Sequence, residues 1–178
     1  DVTDRKVRIT SDDILVNVPY EHNCAKWFDH HLLTDSNEKP PSDFEGNYDM
    51  APSAARLVYD YYVERDPSVE EYENLVDETD RLDSALLDHD DVLNPQGFIL
   101  LGFTIDNRSG LGFDFKSYFN TLLGYLKTMP IEQVLQQPEV VERVQRLREE
   151  EERFKKVLLD TSFMDQNVVV TDLRRVEE

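Results

Sequence analysis

The sequence predicts an α/β fold, because two stretches with the composition of strands lie near its beginning and stretches with helical periodicity follow them. Residues 13–18, DILVNV, are a run of aliphatic and β-branched side chains that Pro19 ends, which is typical of a buried strand. Residues 25–28, AKWF, indicate the end of a second short strand. Most of the chain after these strands has the apolar spacing of helices.

A polar connection separates the strands from the helices. Residues 34–50 are rich in Pro, Ser, Asp and Asn, and the length of this segment favours a functional or mobile loop. Pro52 is the predicted first residue of a helix that Asp66-Pro67 ends, and a second helix is expected from about residue 68 to the mid-80s. The next predicted elements are a loop at 88–97, a helix at 98–105, a glycine turn at 106–112, and helices at 116–128 and 131–137.

A long helix is predicted from Pro138 to about Asp160, with an apolar seam and the charged middle REEEERFKK. Its consecutive glutamates are expected to form a solvated face, and a half-polar helix of this length often spans between lobes. The apolar run VVVTDL at 168–173 then indicates a new strand. The predicted organisation is a first domain over residues 1–137, a linker helix over residues 138–160 and the beginning of a second α/β domain over residues 161–178.

The charge and the cysteine content exclude several classes of function. The 178-residue chain has a formal net charge of −19, which argues against broad contact with nucleic acid phosphates or with anionic lipid. A small anionic substrate held by metal ions stays compatible with this charge, because the ions dominate the local field. The single cysteine, Cys24, allows no internal disulfide and favours a cytoplasmic location, and no apolar run has the length of a membrane helix.

Three polar side chains, Asp29, His30 and His31, follow the second strand directly. If that strand ends at the carboxyl edge of a parallel sheet, these residues lie where α/β proteins place their ligands. One imidazole could then bind a metal while the other meets the substrate, and the carboxylate could orient a ring by accepting its second N–H. The alternative is that all three are surface residues at the start of a loop.

A second polar cluster is VDETDRLDS, in which Asp77, Asp80 and Asp83 stand three residues apart. On a helical projection whose apolar direction is set by five side chains, Asp83 lies closest to the apolar face, Asp80 follows and Asp77 faces away. A carboxylate near an apolar face needs a cation as its partner, unless the cluster is only an acidic helix end exposed to solvent. Asp80 is our first candidate metal ligand and Asp77 the second, because Asp80 can reach a cleft without full burial. The five apolar side chains are Val69, Tyr72, Leu75, Val76 and Leu82.

Arg108 is a weaker candidate for substrate binding. It follows Asp106-Asn107 and precedes a glycine turn, so that it could meet an anion, although a simple turn residue explains the same pattern.

With these residues in place, the chain resembles the DHH phosphoesterase superfamily. The resemblance rests on Phe28-Asp29-His30-His31 after a short strand, on the upstream strand DILVNVPY, on the helix APSAARLVYDYY and on the later helix that carries aspartates. The wider pattern, which adds NPQGFILLGFTID, the long helix and VVVTDLRRVE, is most similar to the bacterial exopolyphosphatase-related branch and covers nearly the whole chain.

The resemblance implies a parallel sheet flanked by helices, joined through a long helix to a smaller substrate-binding domain. It also implies two divalent ions, Mn²⁺ with Mg²⁺ as the alternative, that activate a water molecule for attack on phosphorus. His30 is the implied metal ligand, together with Asp80 or Asp77. His31 is the implied contact to the substrate phosphate or to the nucleophile, and Asp29 supports the catalytic site from close by.

Two departures from the family pattern qualify these roles. The opening DxDG-type motif of the family is expected before residue 1, and the glycine- and histidine-rich substrate domain is expected after residue 178. In addition, Asn17 stands where the upstream motif usually presents an aspartate, and an amide oxygen brings no charge to a metal.

The function that follows is a metal-dependent phosphohydrolase that cleaves phosphoanhydride or phosphodiester bonds, either exopolyphosphatase-like or a phosphodiesterase of small oligonucleotides or cyclic dinucleotides. Its expected partner is a small phosphorylated substrate such as polyphosphate, pyrophosphate or a short oligonucleotide, with no duplex nucleic acid and no membrane, and a homodimer is left open. The alternative is a degenerate DHH domain that binds a nucleotide or a protein without catalysis. The sequence names neither the substrate nor the aspartate that binds metal.

Overall fold

A computed structural model describes residues 6–33, 39–105 and 115–175 of the chain. The chain divides into two compact units, residues 1–94 and residues 95–178. The glycine turn expected at 106–112 lies outside the described residues. Within the described ranges, no helix combines the length and the apolar character that crossing a bilayer requires.

The first unit contains a parallel sheet of three strands, as the α/β prediction requires. The strands are β1 (Ile14–Val16), β2 (Lys26–Asp29) and β3 (Gly46–Tyr48), and β2 lies between the other two. Val16 is paired with Phe28 in β2, and both strand pairs are parallel. The carboxyl ends of β1, β2 and β3 therefore meet at one edge of the sheet.

The two aromatic residues of β2 form the core on opposite faces of the sheet, since successive side chains of a strand alternate. Trp27 stacks on Tyr48 with ring centroids 5.1 Å apart, and its indole N–H donates to the Val18 carbonyl over 2.8 Å. Phe28 packs edge-on against Tyr61 on the other face. Trp27 and Phe28 are both fully buried.

Strand β3 is a correction to the sequence prediction, which assigned residues 34–50 to a loop. The segment Gly46–Tyr48 lacks the apolar, β-branched composition from which strands are recognised. Gly46 has a φ of +133°, and a Cβ atom there would stand 1.9 Å from the Trp27 carbonyl oxygen. Only glycine allows the two backbones to approach so closely.

Helices pack beside this sheet in the first unit. The predicted helix after Pro52 is α1 (Ala54–Val63), and Ser53 caps it by accepting the backbone N–H of Arg56. Beyond the expected break, residues Pro67–Tyr72 form a 3-10 helix, and α2 (Glu73–Asp83) follows. The second predicted helix is therefore two helices of different geometry.

A further short helix, α3 (His89–Leu93), lies within the loop predicted at 88–97, which is a second correction. Asp88 accepts the backbone N–H groups of Asp90 and Asp91, and the Asp91 carboxylate accepts the N–H of Asp88 in return. This reciprocal cap stabilises a turn of helix in a segment with little apolar periodicity.

Over residues 95–105 and 115–175, the second unit contains four α-helices, a hairpin and a short 3-10 helix, Leu173–Arg175. The helices are α4 (Gly97–Thr104), α5 (Phe115–Leu126), α6 (Ile131–Val134) and α7 (Pro138–Thr161), in agreement with the helices predicted there. Their apolar side chains enclose a core in which Tyr118 donates to or accepts from the Thr104 hydroxyl over 2.8 Å. The buried residues of this core are Leu101, Tyr118, Leu122, Val134 and Val140.

Only the first half of α7 carries buried side chains, namely Val140, Arg143 and Leu147. The predicted strand at 168–173 is β5 (Val168–Thr171), and it pairs antiparallel with β4 (Ser162–Asp165), which the sequence did not predict. The domain boundaries expected at residues 137 and 160 stay predictions.

Candidate active site

The carboxyl end of β2 presents three polar residues in succession. Asp29 is the last residue of the strand and is only 4% exposed, while His30 and His31 follow it where the backbone leaves the sheet. In the parallel register Asp29 lies beside Tyr48, at the end of β3. This edge is the position at which open α/β sheets bind their ligands.

Asp29 and His31 form a hydrogen-bonded pair. The Asp29 Oδ1 atom lies 2.8 Å from His31 Nδ1 and also accepts the His31 backbone N–H over 3.3 Å. A carboxylate can only accept, so Nδ1 carries the proton and Nε2 is the free nitrogen of the ring. The His31 side chain is 63% exposed. The pair therefore presents an oriented imidazole nitrogen to a ligand in solution.

His30 is oriented by the backbone and faces a carboxylate. Its Nδ1 atom lies 2.9 Å from the Ala51 carbonyl oxygen, and because a carbonyl only accepts, Nδ1 is the donor. Its other nitrogen, Nε2, lies 3.3 Å from Asp83 Oδ2, at the end of α2. An imidazole nitrogen and a carboxylate oxygen at this distance can hold a cation between them.

The other two aspartates of α2 face α1. Asp80 accepts the Ser53 hydroxyl over 2.6 Å through Oδ1 and the Arg56 Nε–H over 2.8 Å through Oδ2. Arg56 Nη2 lies 2.7 Å from the same Asp80 oxygen and also binds Asp77. Burial lowers the pKa of the Arg56 guanidinium, but its bonds to Asp80 and Asp77 outweigh that effect and raise the pKa. Arg56 therefore stays charged between the two carboxylates.

The burial order of the aspartates differs from the helical projection. Asp80 is the most buried, at 14% side-chain exposure, whereas Asp83 is 40% exposed. The projection used Val69 and Tyr72 to set the apolar direction, and both lie in the 3-10 helix that precedes α2. Leaving these two residues out does not change the projected order, so the difference comes from tertiary contacts. The Ser53 hydroxyl and the Arg56 guanidinium cover Asp80, whereas Asp83 is the last residue of α2.

The sequence also singled out Asn17 and Arg108. Asn17 follows β1 at the same edge of the sheet, with a φ of 59° and its backbone N–H donating to the Phe28 carbonyl over 2.9 Å. Its side chain is exposed. Arg108 lies outside the described residues.

Sequence reasoning did not single out Ser53 and Arg56. The signal that could have found them is local: a serine before a helix is the preferred N-cap, and an arginine three residues later lies over the same end of that helix. Nothing in the sequence, however, indicates that this end of α1 faces the aspartates of α2.

The donor set of the described residues suits a divalent cation only in part. His30 Nε2 and Asp83 Oδ2 are the nitrogen and oxygen donors that Mn²⁺ accepts. Across the described ranges, no group of three or more His, Cys, Asp or Glu side chains comes together as a metal site. Asn17 and the Asp29–His31 pair lie at the same sheet edge as His30.

Comparison with known proteins finds similarity among solved structures. No family model matches the chain, and no curated protein matches it. Among solved structures, the pGpG-specific phosphodiesterase PggH from Vibrio cholerae matches with 34% sequence identity and a TM-score of 0.82, over the whole of this chain and 58% of that one. The chain is similar to a phosphodiesterase. It spans 58% of the length of PggH.

The likeness to PggH supports the resemblance to the DHH superfamily and the α/β fold that it implies. The narrower assignment to the exopolyphosphatase-related branch stays a prediction.

Proposed function

We propose that this chain is the catalytic part of a metal-dependent phosphodiesterase that hydrolyses a small phosphodiester, such as a linear dinucleotide of the pGpG kind. The observation that carries the proposal is the joint placement of the His30–Asp83 and Asp29–His31 pairs at the end of β2. The likeness to PggH, at 34% identity over the whole chain, supports a phosphodiester as the substrate class.

His30 and Asp83 are the residues that would hold a divalent ion. We propose Mn²⁺ as that ion, with Mg²⁺ as the alternative and with a second ion as the family resemblance implies. When bound, such ions activate water and neutralise charge on the phosphoryl group. Asp80 and Asp77, the candidates from the sequence, engage Arg56 in this structure, so Asp83 takes their place in the proposal.

His31 is the residue that would meet the substrate. Hydrolysis of a phosphodiester forms one P–O bond to water, breaks another to the leaving oxygen and transfers a proton to that oxygen. A protonated His31 Nε2 can donate to a phosphate oxygen and can supply that proton. The Asp29 carboxylate keeps the ring in position by accepting its Nδ1–H.

The charge at this edge supports the proposal of a bound cation. Among the described residues in these contacts, the carboxylates of Asp29, Asp77, Asp80 and Asp83 outnumber the guanidinium of Arg56, and the whole chain carries a net charge of −19. A phosphodiester anion approaches such a surface only when a metal ion reverses the local field. Polyphosphate and pyrophosphate remain alternative substrates for the same reason. A cytoplasmic location and a homodimer stay predictions.

The test is hydrolysis of pGpG, short polyphosphate and pyrophosphate in the presence of Mn²⁺ and after its removal by chelation. We expect release of nucleotide from pGpG that depends on Mn²⁺ and that His30→Ala abolishes. The matched control is His89→Ala, because His89 is an exposed imidazole at the start of α3. Retention of full Mn²⁺-dependent activity in His30→Ala would overturn the proposal.

The second candidate is a domain that binds a nucleotide without turnover. The exposed amide of Asn17, at the place where the family presents a charged ligand, favours it. Calorimetric titration separates the two functions. Binding of pGpG without Mn²⁺ binding and without hydrolysis would support the second candidate and contradict the first.

A further inference from the structure

Both oxygens of the Asp80 carboxylate accept hydrogen bonds from residues at the start of α1. The Ser53 hydroxyl donates to Oδ1 over 2.6 Å, and the Arg56 Nε–H donates to Oδ2 over 2.8 Å. Ser53 is itself fixed, because it is 1% exposed and its Oγ accepts the backbone N–H of Arg56 at the start of α1. Asp80 therefore closes a hydrogen-bonded connection between the first turn of α1 and the last turns of α2.

This connection lies one helical turn from Asp83. Residues three apart on a helix share a side, so that fixing Asp80 against α1 also fixes the direction of Asp83. The Ala51 carbonyl that orients His30 belongs to the segment leading into α1. Both partners of the His30–Asp83 contact are thus set by the same end of α1.

We propose that Arg56 and Asp80 are positioning residues, which hold α2 in the orientation at which Asp83 faces His30. The proposal rests on the proposed function, in which His30 and Asp83 hold the metal. Two guanidinium nitrogens of Arg56, Nε and Nη2, meet the Asp80 Oδ2 atom, while Ser53 donates to Oδ1, so both oxygens of the carboxylate are held from the start of α1. Arg56 also binds Asp77, so a single side chain aligns two successive turns of α2.

The competing interpretation is that Arg56 occupies a metal-ligand position and that Asp80 is the true ligand. The two interpretations predict opposite effects of removing the guanidinium. If Arg56 competes with the metal, Arg56→Met frees Asp80 and Asp77 and tightens Mn²⁺ binding. If Arg56 positions α2, the same substitution loosens Asp83 and weakens Mn²⁺ binding.

The first measurement is the dissociation constant of Mn²⁺ by calorimetry, at a temperature where circular dichroism shows each variant to be folded. We expect Arg56→Met and Asp80→Asn each to raise the dissociation constant at least about tenfold, as loss of an orienting partner does at metal sites. The double variant should show no further increase, since both changes break one connection. Arg56→Lys, which offers fewer directed donors, should show an intermediate effect.

The matched control is Arg81→Met. Arg81 lies on α2 and also pairs with two carboxylates, Glu78 on α2 itself and Asp91 on α3, so that it joins α2 to α3 rather than to α1. Its loss should lower thermal stability and leave the Mn²⁺ dissociation constant within twofold of the wild-type value. An unchanged or lower dissociation constant in Arg56→Met would overturn the positioning role.

A second measurement uses the metal-free protein and does not depend on its enzymatic activity. A double-mutant cycle of His30→Ala and Asp83→Asn gives their coupling in the free energy of unfolding of the metal-free protein. We expect a measurable coupling in the wild-type background and its loss in the Arg56→Met background. Persistence of the coupling in Arg56→Met would contradict the proposal. If the wild-type protein binds no Mn²⁺, the proposed function fails, and this cycle alone decides the positioning role.

Discussion

The His30 Nε2 atom lies 3.3 Å from the Asp83 Oδ2 atom, which joins the end of strand β2 to the last residue of helix α2. Neither residue is near the other in the sequence, so the contact forms only when α2 packs beside the sheet. A nitrogen and an oxygen at this distance, each with a free lone pair, are suited to hold one cation.

The first prediction concerns the metal. Asp83→Asn should remove the stabilisation that Mn²⁺ gives to the folded protein, because an amide binds the ion without charge. For the wild-type protein, free Mn²⁺ at a hundredfold excess over its dissociation constant should add about 2.7 kcal/mol to the free energy of unfolding. Thermal denaturation with Mn²⁺ and with chelator measures the difference. Asp60→Asn, an exposed carboxyl of α1, is the control and should respond to Mn²⁺ like the wild type.

The second prediction concerns the Asp29–His31 pair. Asp29→Asn should lower kcat for pGpG by about ten- to a hundredfold with a smaller change in KM, because an amide is a weaker acceptor for the His31 N–H groups and orients the ring less firmly. His31→Asn should lower kcat at least as much, and the double variant should be no worse than His31→Asn alone. Independent, additive losses would show that the two residues do not act as a pair.

The third prediction concerns the close approach of β2 and β3. Gly46→Ala should destabilise the protein by about 3 kcal/mol or more, because the new Cβ would overlap the Trp27 carbonyl and the backbone has a positive φ. Gly124→Ala is the matched control. It lies in α5 with no atom close to its added methyl group, and it should stabilise the protein by about 0.5–1 kcal/mol. Urea denaturation measures both.

The fourth prediction concerns pH. The Asp88 backbone N–H, and then the Arg81 guanidinium, hold the pKa of Asp91 below its ordinary value. In the range from about pH 4 downwards the unfolded chain then binds more protons at this position than the folded chain. The Asp91 contribution is thus fully present above about pH 4 and is lost as the pH falls through the lowered pKa.

Asp91→Asn should remove this contribution, so that the free energy of unfolding falls less steeply with decreasing pH below about pH 4. Urea denaturation at a series of pH values measures the slope. A slope identical to that of the wild type would contradict the lowered pKa of Asp91.

Local patterns identified the elements with strong apolar periodicity. The aliphatic run before Pro19, the Trp27-Phe28 pair and the stripe of α1 each carry enough apolar surface to specify a strand or a helix. Strand β3 and helix α3 have no such pattern. The first depends on a glycine that lets two backbones meet, and the second on a reciprocal cap.

The sequence by itself determined the α/β class and the place of Asp29, His30 and His31 at the end of a strand, since both follow from local composition and from a short motif. The tertiary structure decided which aspartate of α2 faces His30. That choice depends on the bonds from Ser53 and Arg56 to Asp80, which fix α2 against the start of α1. Contacts between segments far apart in the chain leave no periodic trace in either segment, so only the folded molecule shows them.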